Sequence, residues 1–137
     1  MNNLKSALIL LAVILTSSCQ TGFNSRPTLV SEIAIARNEK ADSYHVAFKF
    51  IEKDGLRQKT VTSTAVDVQM GIKGEVRTTW NNRPVVAEIL IQKDHASYVD
   101  RKLSIHIPRD DGSEGHREMM QGSFRLSPSK DKLHFAR

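Results

Sequence analysis

The chain has 137 residues, a length that suits one domain, with a formal net charge of +5 and one cysteine. This charge is too small and too dispersed along the chain to indicate nucleic-acid binding, and a single cysteine excludes an internal disulfide framework. The balance of charges is typical of a mixed, soluble surface.

The first 18 residues have the three parts of a secretory signal peptide. Lys5 supplies a positive start, Ala7–Leu15 is wholly apolar, and small residues at 16–18 mark a cut site before Cys19. The apolar run is far shorter than the roughly 20 residues that a membrane-spanning helix needs. It also lacks the polar face of a helix packed on a soluble domain. The sequence therefore predicts export, with residues 1–18 forming a signal-peptide helix.

Leu15-Thr16-Ser17-Ser18-Cys19 resembles the lipobox of bacterial lipoproteins. In that family the cysteine thiol receives a diacylglycerol, the chain is cut before the cysteine, and the new amine is acylated. The resemblance implies lipidation of Cys19 and a membrane held through that lipid. Gln20, where an aspartate would retain such a protein at the inner membrane, implies the periplasmic side of the outer membrane. Thr16 stands where the family usually has leucine, so ordinary cleavage with a free thiol is the alternative.

Residues 19–27 are polar and include Gly22 and Pro27, a composition typical of a tether between a lipid and a folded domain. Residues 28–137 predict a single β domain, because apolar and polar residues alternate there with a period of two. The alternation is strongest at Tyr44–Phe50, Val85–Ile91 and Val99–Ile107. Weaker patterns predict five further strands: Leu29–Arg37, Lys59–Met70, Lys73–Trp80, Gln121–Leu126 and Lys132–Phe135.

Turn residues separate the predicted strands. Asp54-Gly55 is a strong hairpin signal, and Asn81-Asn82 and Pro128 mark later turns. Short connections indicate antiparallel neighbours, so about eight short strands predict an all-β antiparallel sandwich or small barrel. The apolar face of Lys59–Met70 begins only halfway along, which predicts either an exposed first half or a β-bulge near Ser63.

No arrangement of residues in the sequence indicates an enzyme, a cofactor or a metal site. Gly112-Ser113-Glu114-Gly115 lacks the spacing of the hydrolase nucleophile elbow, and the five histidines include no His-x-x-x-His pair. The nearest approach to a site is Glu114, His116 and Glu118, whose side chains would share one face of an extended segment. We expect a solvated loop edge there. The alternative is a periplasmic ligand- or metal-binding module, or a hydrolase, with its site at these three residues.

Three features bear on partner binding. Trp80 ends a strand beside a turn, and we expect it to close one end of the core instead of anchoring a partner. Of Met119 and Met120, we expect one to be buried. An unpaired sheet edge, with Thr60–Thr64 as the candidate, could accept a strand from another chain. With the implied anchor, these features predict a lipid-anchored, non-catalytic interaction or assembly module that meets a protein partner in the cell envelope.

Overall fold

The computed structural model describes residues 26–109 and 115–137, so the predicted signal peptide, Cys19 and Glu114 lie outside the described residues. Two antiparallel sheets form a sandwich-like fold, with strand orders β1-β2-β3 and β4-β5-β6-β7. The prediction of an all-β antiparallel sandwich is therefore confirmed. The strands of this part of the chain are β1 Thr28–Arg37, β2 Ser43–Asp54, β3 Arg57–Gln69, β4 Gly74–Trp80, β5 Arg83–His95, β6 Tyr98–Ile107 and β7 His116–Arg125.

Within those two ranges the structure contains no helix with the length and apolar character needed to cross a membrane.

Two of the three two-residue hairpin turns lie where the sequence predicts them, and the third, between His95 and Tyr98, was not predicted. Asp54 pairs with Arg57 across a two-residue turn in which Gly55 has a φ of 59°, a value that glycine adopts without steric cost. Trp80 pairs with Arg83 across Asn81 and Asn82, whose φ values are 52° and 60°. Two successive positive φ values define the turn type whose twist suits a β-hairpin, and asparagine tolerates that conformation well.

The core lies between the two sheets and is made of the rows predicted to face inward. These side chains are buried: Tyr44, Val46, Phe48 and Phe50 of β2, Val85, Ala87, Ile89 and Ile91 of β5, and Val99, Arg101, Leu103, Ile105 and Ile107 of β6. The chain crosses from one sheet to the other just before β4. There a Cβ on Gly74 would lie 2.5 Å from Val68 Cγ2, so only glycine fits without displacing that side chain.

β3 shows both of the features considered for Lys59–Met70. Arg57–Thr60 is exposed on both faces, and the strand lies at the edge of its sheet. Phe50 pairs with Thr62 and Ile51 with Thr60, which leaves Val61 as an extra residue. This β-bulge, two residues before Ser63, changes the face that the strand presents to the core.

Lys132–Phe135, expected to be a strand, does not form one. The segment after β7 makes isolated bridges instead, of which the longer-range one joins Ala136 to Ile33 of β1. Ala136 and Ile33 exchange two backbone hydrogen bonds of 2.9 Å, and the Ser127 N–H donates to the Ile35 carbonyl at 2.8 Å. The C-terminal segment runs from the end of β7 to the edge of β1, where it satisfies backbone groups of β1.

The turns of the sandwich lie at two ends. At the first, which we call the hairpin end, Thr28 pairs with Lys53, so the start of β1 lies beside the β2–β3 turn. The Asn81-Asn82 turn is at the same end. At the second, which we call the network end, the last residue of β1, Arg37, contacts the end of β5. The two ends differ in how their charged side chains are paired.

Candidate functional site

A carboxylate at the network end joins the two sheets. Asp94, near the end of β5, accepts hydrogen bonds from Arg37 of β1 and from the hydroxyl of Tyr44 in β2. The Arg37 guanidinium also donates to the Ala96 carbonyl at 2.9 Å. These hydrogen bonds from Arg37 and then from Tyr44 hold the pKa of Asp94 below its ordinary value. Burial, followed by the hydrogen bond to Asp94, raises the pKa of Tyr44 to about 12.

Asp94 is therefore charged and Tyr44 neutral at neutral pH, which suits a fixed structural contact. A catalytic acid or base needs a pKa near the working pH, and both groups are moved away from that range. The Arg37, Tyr44 and Asp94 side chains consequently fasten one sheet to the other.

A second cluster at the network end contains the residue types of a nucleophilic triad. The Ser123 hydroxyl donates to Asp100 Oδ1 at 3.0 Å, and His95 Nε2 lies 3.0 Å from Asp100 Oδ2. His95 also stacks on Tyr98, with ring centroids 4.4 Å apart. Serine and histidine both bind the carboxylate and do not contact each other, so the histidine is not placed to take the hydroxyl proton. The cluster ties β7 to the β5–β6 hairpin.

Sequence reasoning missed both clusters, because the packing of the two sheets brings the first together and the pairing register of β5, β6 and β7 brings the second together. The one signal available was the alternation in Val99–Ile107, which placed Asp100 on the solvent face. The residue opposite Asp100 in β7, Ser123, follows only from the pairing register of the sheet.

The structure only partly describes the predicted Glu114, His116 and Glu118 site. His116 and Glu118 lie on β7 opposite Ile107 and Ile105, so their side chains share a face as predicted, and both are exposed. Glu114 lies outside the described residues. Among the residues that the structure describes, no group of three or more potential metal ligands comes together. The ligand- or metal-binding alternative therefore stays a prediction.

β7 is an open edge strand. It has ten residues, its only neighbour in the sheet order is β6, and Phe124 is its one buried residue. Met119 is 72% exposed, whereas Met120 packs against the core, as expected for one member of that pair. The sequence of β7 contains no lysine and no proline, two residues that commonly block further pairing at an edge.

Behind β7 lies a buried cation. Arg101 is only 6% exposed, and its guanidinium carbon is 5.2 Å from the centroid of the Phe124 ring. Its Nε has no hydrogen-bond partner, and no carboxylate in the described part of the chain pairs with it. Burial lowers the pKa of Arg101. A buried cation without an anion is costly, so this side chain has an unused capacity to bind one.

Gly122 leaves space beside that cation. It pairs with Arg101 in the sheet register, has a φ of 149°, and would have no atom within 4 Å of an added Cβ. The sequence predicts that Arg101 shares the buried face of its strand. Only the structure shows that Arg101 has no anionic partner among the described residues. Only the structure shows, too, that Arg101 faces a glycine at an open edge.

The predicted edge at Thr60–Thr64 is less open to pairing than β7. The bulge at Val61 interrupts the regular spacing of the backbone groups of its strand, which discourages the addition of another strand. Thr60–Thr64 as a docking edge stays a prediction.

Trp80 lies at the hairpin end and is partly buried against the core. Its indole N–H donates to Glu52 of the other sheet. The expectation that Trp80 closes one end of the core is confirmed.

No protein-family model, no curated protein and no solved structure matches this chain. Its function is therefore inferred from its own residues and their geometry.

Proposed function

We propose that the chain is a lipid-anchored, non-catalytic interaction or assembly module of the bacterial cell envelope. In this proposal Cys19 carries the lipid, the domain lies on the periplasmic side of the outer membrane, and a protein partner binds along β7. The observation that carries the binding role is the ten-residue open edge of β7, with the unpaired Arg101 behind it.

Strand addition suits this edge. A partner segment that pairs with β7 gains main-chain hydrogen bonds, and its alternate side chains meet the two faces of the strand. On one face it would meet Met119, which is exposed. On the other, the space at Gly122 would let an acidic side chain approach Arg101. The expected partner is therefore an extended segment with an acidic residue.

The anchor is supported by the sequence before β1. A charged start, an apolar run and small residues precede Cys19, and polar residues 20–27 then lead into the first strand. One acyl chain holds a protein only marginally, whereas two or more on one residue give stable attachment. The anchor would thus set where the domain resides, and β7 would set what it binds.

The anchor is tested by intact mass and detergent partitioning of the protein made in a bacterial host, with Cys19→Ser as the matched control. We expect the wild type to gain diacylglycerol and acyl mass and to enter the detergent phase, and the variant to do neither. If both proteins are unmodified and aqueous, the anchoring part of the proposal is wrong.

The binding edge is tested by a photo-crosslinking side chain placed in cells at Met119 of β7 or, as the control, at Ser63 of the β3 edge. We expect a defined envelope protein to crosslink at position 119 and not at position 63. Gly122→Pro should abolish this crosslink, because proline lacks the backbone donor and cannot adopt a φ of 149°. Equal crosslinking at both edges, or persistence in the proline variant, would contradict binding along β7.

A further inference from the structure

The tip of the β2–β3 hairpin lies where the predicted tether enters the domain. Thr28, the first residue of β1, pairs with Lys53 near the end of β2. From Cys19 to Thr28 the chain spans at most about 30 Å, even when it is fully extended. A lipid on Cys19 would therefore keep the hairpin end, where the tether joins the domain, within about 30 Å of the bilayer surface.

The hairpin tip projects beyond the packed core. All four residues of Arg57–Thr60 are exposed, although they alternate between the two faces of β3. Neither face of β3 is therefore covered at this point. At the tip itself, Leu56 is fully exposed, the greatest exposure among the large apolar side chains of the described residues.

The charges around Leu56 are basic and unpaired. Lys53, Arg57 and Lys59 surround the tip, and none of them forms an ion pair or hydrogen bond through its side chain with the residues that the structure describes. The acidic residues of this stretch are Asp54 and Glu52, and Glu52 lies opposite Lys59 in the sheet and accepts the Trp80 indole N–H. An exposed leucine among free cations is the pattern by which peripheral segments enter the headgroup region of an anionic bilayer.

The network end provides a comparison within the same molecule. Ile72, in the β3–β4 turn, is 59% exposed, and its neighbour Lys73 is paired with Glu88 at 3.3 Å. Arg37 at that end is likewise paired with Asp94. Cations whose charge is already balanced by carboxylates have little attraction left for lipid phosphates.

We propose that the β2–β3 hairpin tip is a second, reversible membrane contact, in which Leu56 enters the headgroup region while Lys53, Arg57 and Lys59 bind anionic lipid phosphates. This inference rests on the proposed lipid anchor. Together the two contacts fix the orientation of the domain, with the hairpin end on the bilayer and the network end away from it. The edge of β7 then faces sideways and stays open to a partner.

The test uses the acylated protein reconstituted into vesicles of phosphatidylethanolamine and phosphatidylglycerol, and separately into phosphatidylcholine vesicles. Acylation occupies the only natural cysteine, so Leu56→Cys provides a unique thiol for an environment-sensitive dye. Ile72→Cys is the matched control, because it is also an exposed aliphatic residue in a turn.

We expect the dye at position 56 to shift its emission to the blue and to be quenched by lipid-attached nitroxides in the anionic vesicles. The dye at position 72 should keep an aqueous spectrum and be quenched by iodide in solution. The combined variant Lys53→Gln, Arg57→Gln, Lys59→Gln should abolish the shift at position 56, as should the neutral vesicles.

Three outcomes would overturn the inference. An aqueous spectrum at position 56 on acylated protein would overturn the hairpin contact and leave the anchor standing. The same blue shift at both positions would show non-specific dye insertion and no oriented contact. A wild-type protein with a free thiol and no added lipid mass would overturn the anchor and, with it, the hairpin contact.

Discussion

The two ends of the sandwich differ in how their charges are used. At the network end, Arg37 and Tyr44 bind Asp94, and His45 lies 3.0 Å from Asp67. At the hairpin end, the sheets are joined by the hydrogen bond from Trp80 to Glu52, and the cations of the β2–β3 hairpin have no partner among the described residues. Paired charges stabilise the fold, whereas free charges are available to a surface outside it. In the proposed orientation, both ends join the sheets and only the hairpin end contacts the membrane.

The largest expected effect comes from removing the carboxylate of the network end. Asp94→Ala leaves the buried Tyr44 hydroxyl and the Arg37 guanidinium without their acceptor, and should lower the free energy of unfolding by about 2 kcal/mol. Trp80→Phe, which removes the hydrogen bond at the hairpin end, should cost about 1 kcal/mol. Urea unfolding followed by circular dichroism measures both. Equal losses of unfolding free energy in the two variants would contradict the proposed difference between the two ends.

A pH series tests whether the charge of Asp94 stabilises the network end. The folded pKa of Asp94 is lower than its ordinary value, so its stabilising contribution is fully present above about pH 4 and is lost as the pH falls below that. The difference in unfolding free energy between wild type and Asp94→Asn should therefore be largest at pH 7 and shrink at pH 3. The pKa values of Asp67 and Asp100 are also lowered, but both residues are present in both proteins, so they cancel in this difference. A constant difference would show that the charge of Asp94 is not what fastens the sheets.

Arg101 should behave differently from the paired charges of the network end. Replacing a buried, unpaired cation by an apolar side chain of similar length is often neutral or stabilising, so Arg101→Met should raise the free energy of unfolding by about 1 kcal/mol. The same variant should weaken the crosslink at position 119, because it removes the proposed binding group for an acidic partner side chain. Arg101→Lys is the control that keeps the charge and loses the planar contact with Phe124. Loss of stability in Arg101→Met would mean that the cation already has a favourable partner in the isolated protein.

The smallest effect is expected at the hairpin tip. Leu56→Ser should change the free energy of unfolding by less than about 0.5 kcal/mol, because the side chain is fully exposed and packs on nothing. Ile72→Ser, at the other end, should show a similarly small change. These variants separate folding from membrane contact, since only Leu56→Ser should reduce binding to anionic vesicles. A loss above about 1 kcal/mol for Leu56→Ser would show that the tip belongs to the packed domain.

The sequence was most informative where one strand could be interpreted alone. Alternation identified the inward rows of β2, β5 and β6, and the glycine and asparagine turns identified two hairpins. It was least informative at the end of the chain, where Lys132–Phe135 has the composition of a strand but lies in a segment that makes only isolated bridges. Local alternation reports which face is buried, and it carries no information on whether a neighbouring strand exists to pair with.

For the candidate binding surfaces, too, the sequence identified local features but not the order of the strands. The sequence placed Arg101 on the buried face and named the Met119-Met120 pair, but it did not show that β7 would lie at an edge. It also predicted an edge role for Thr60–Thr64, which the structure places at an edge that carries a bulge and Lys59. Whether a strand is an edge depends on the order of strands in the sheet, and that order is a property of the whole fold.

By itself, the sequence determined the period of the strands, the positions of two tight turns and the choice of an all-β antiparallel fold. These features result from local backbone preferences and from the need to bury apolar side chains. Only the tertiary structure decided that Asp94 joins the two sheets, that Arg101 is buried without an anion, and that Leu56 lies at the same end as the start of β1. These depend on contacts between residues far apart in the chain, which form only when the register of every strand is set.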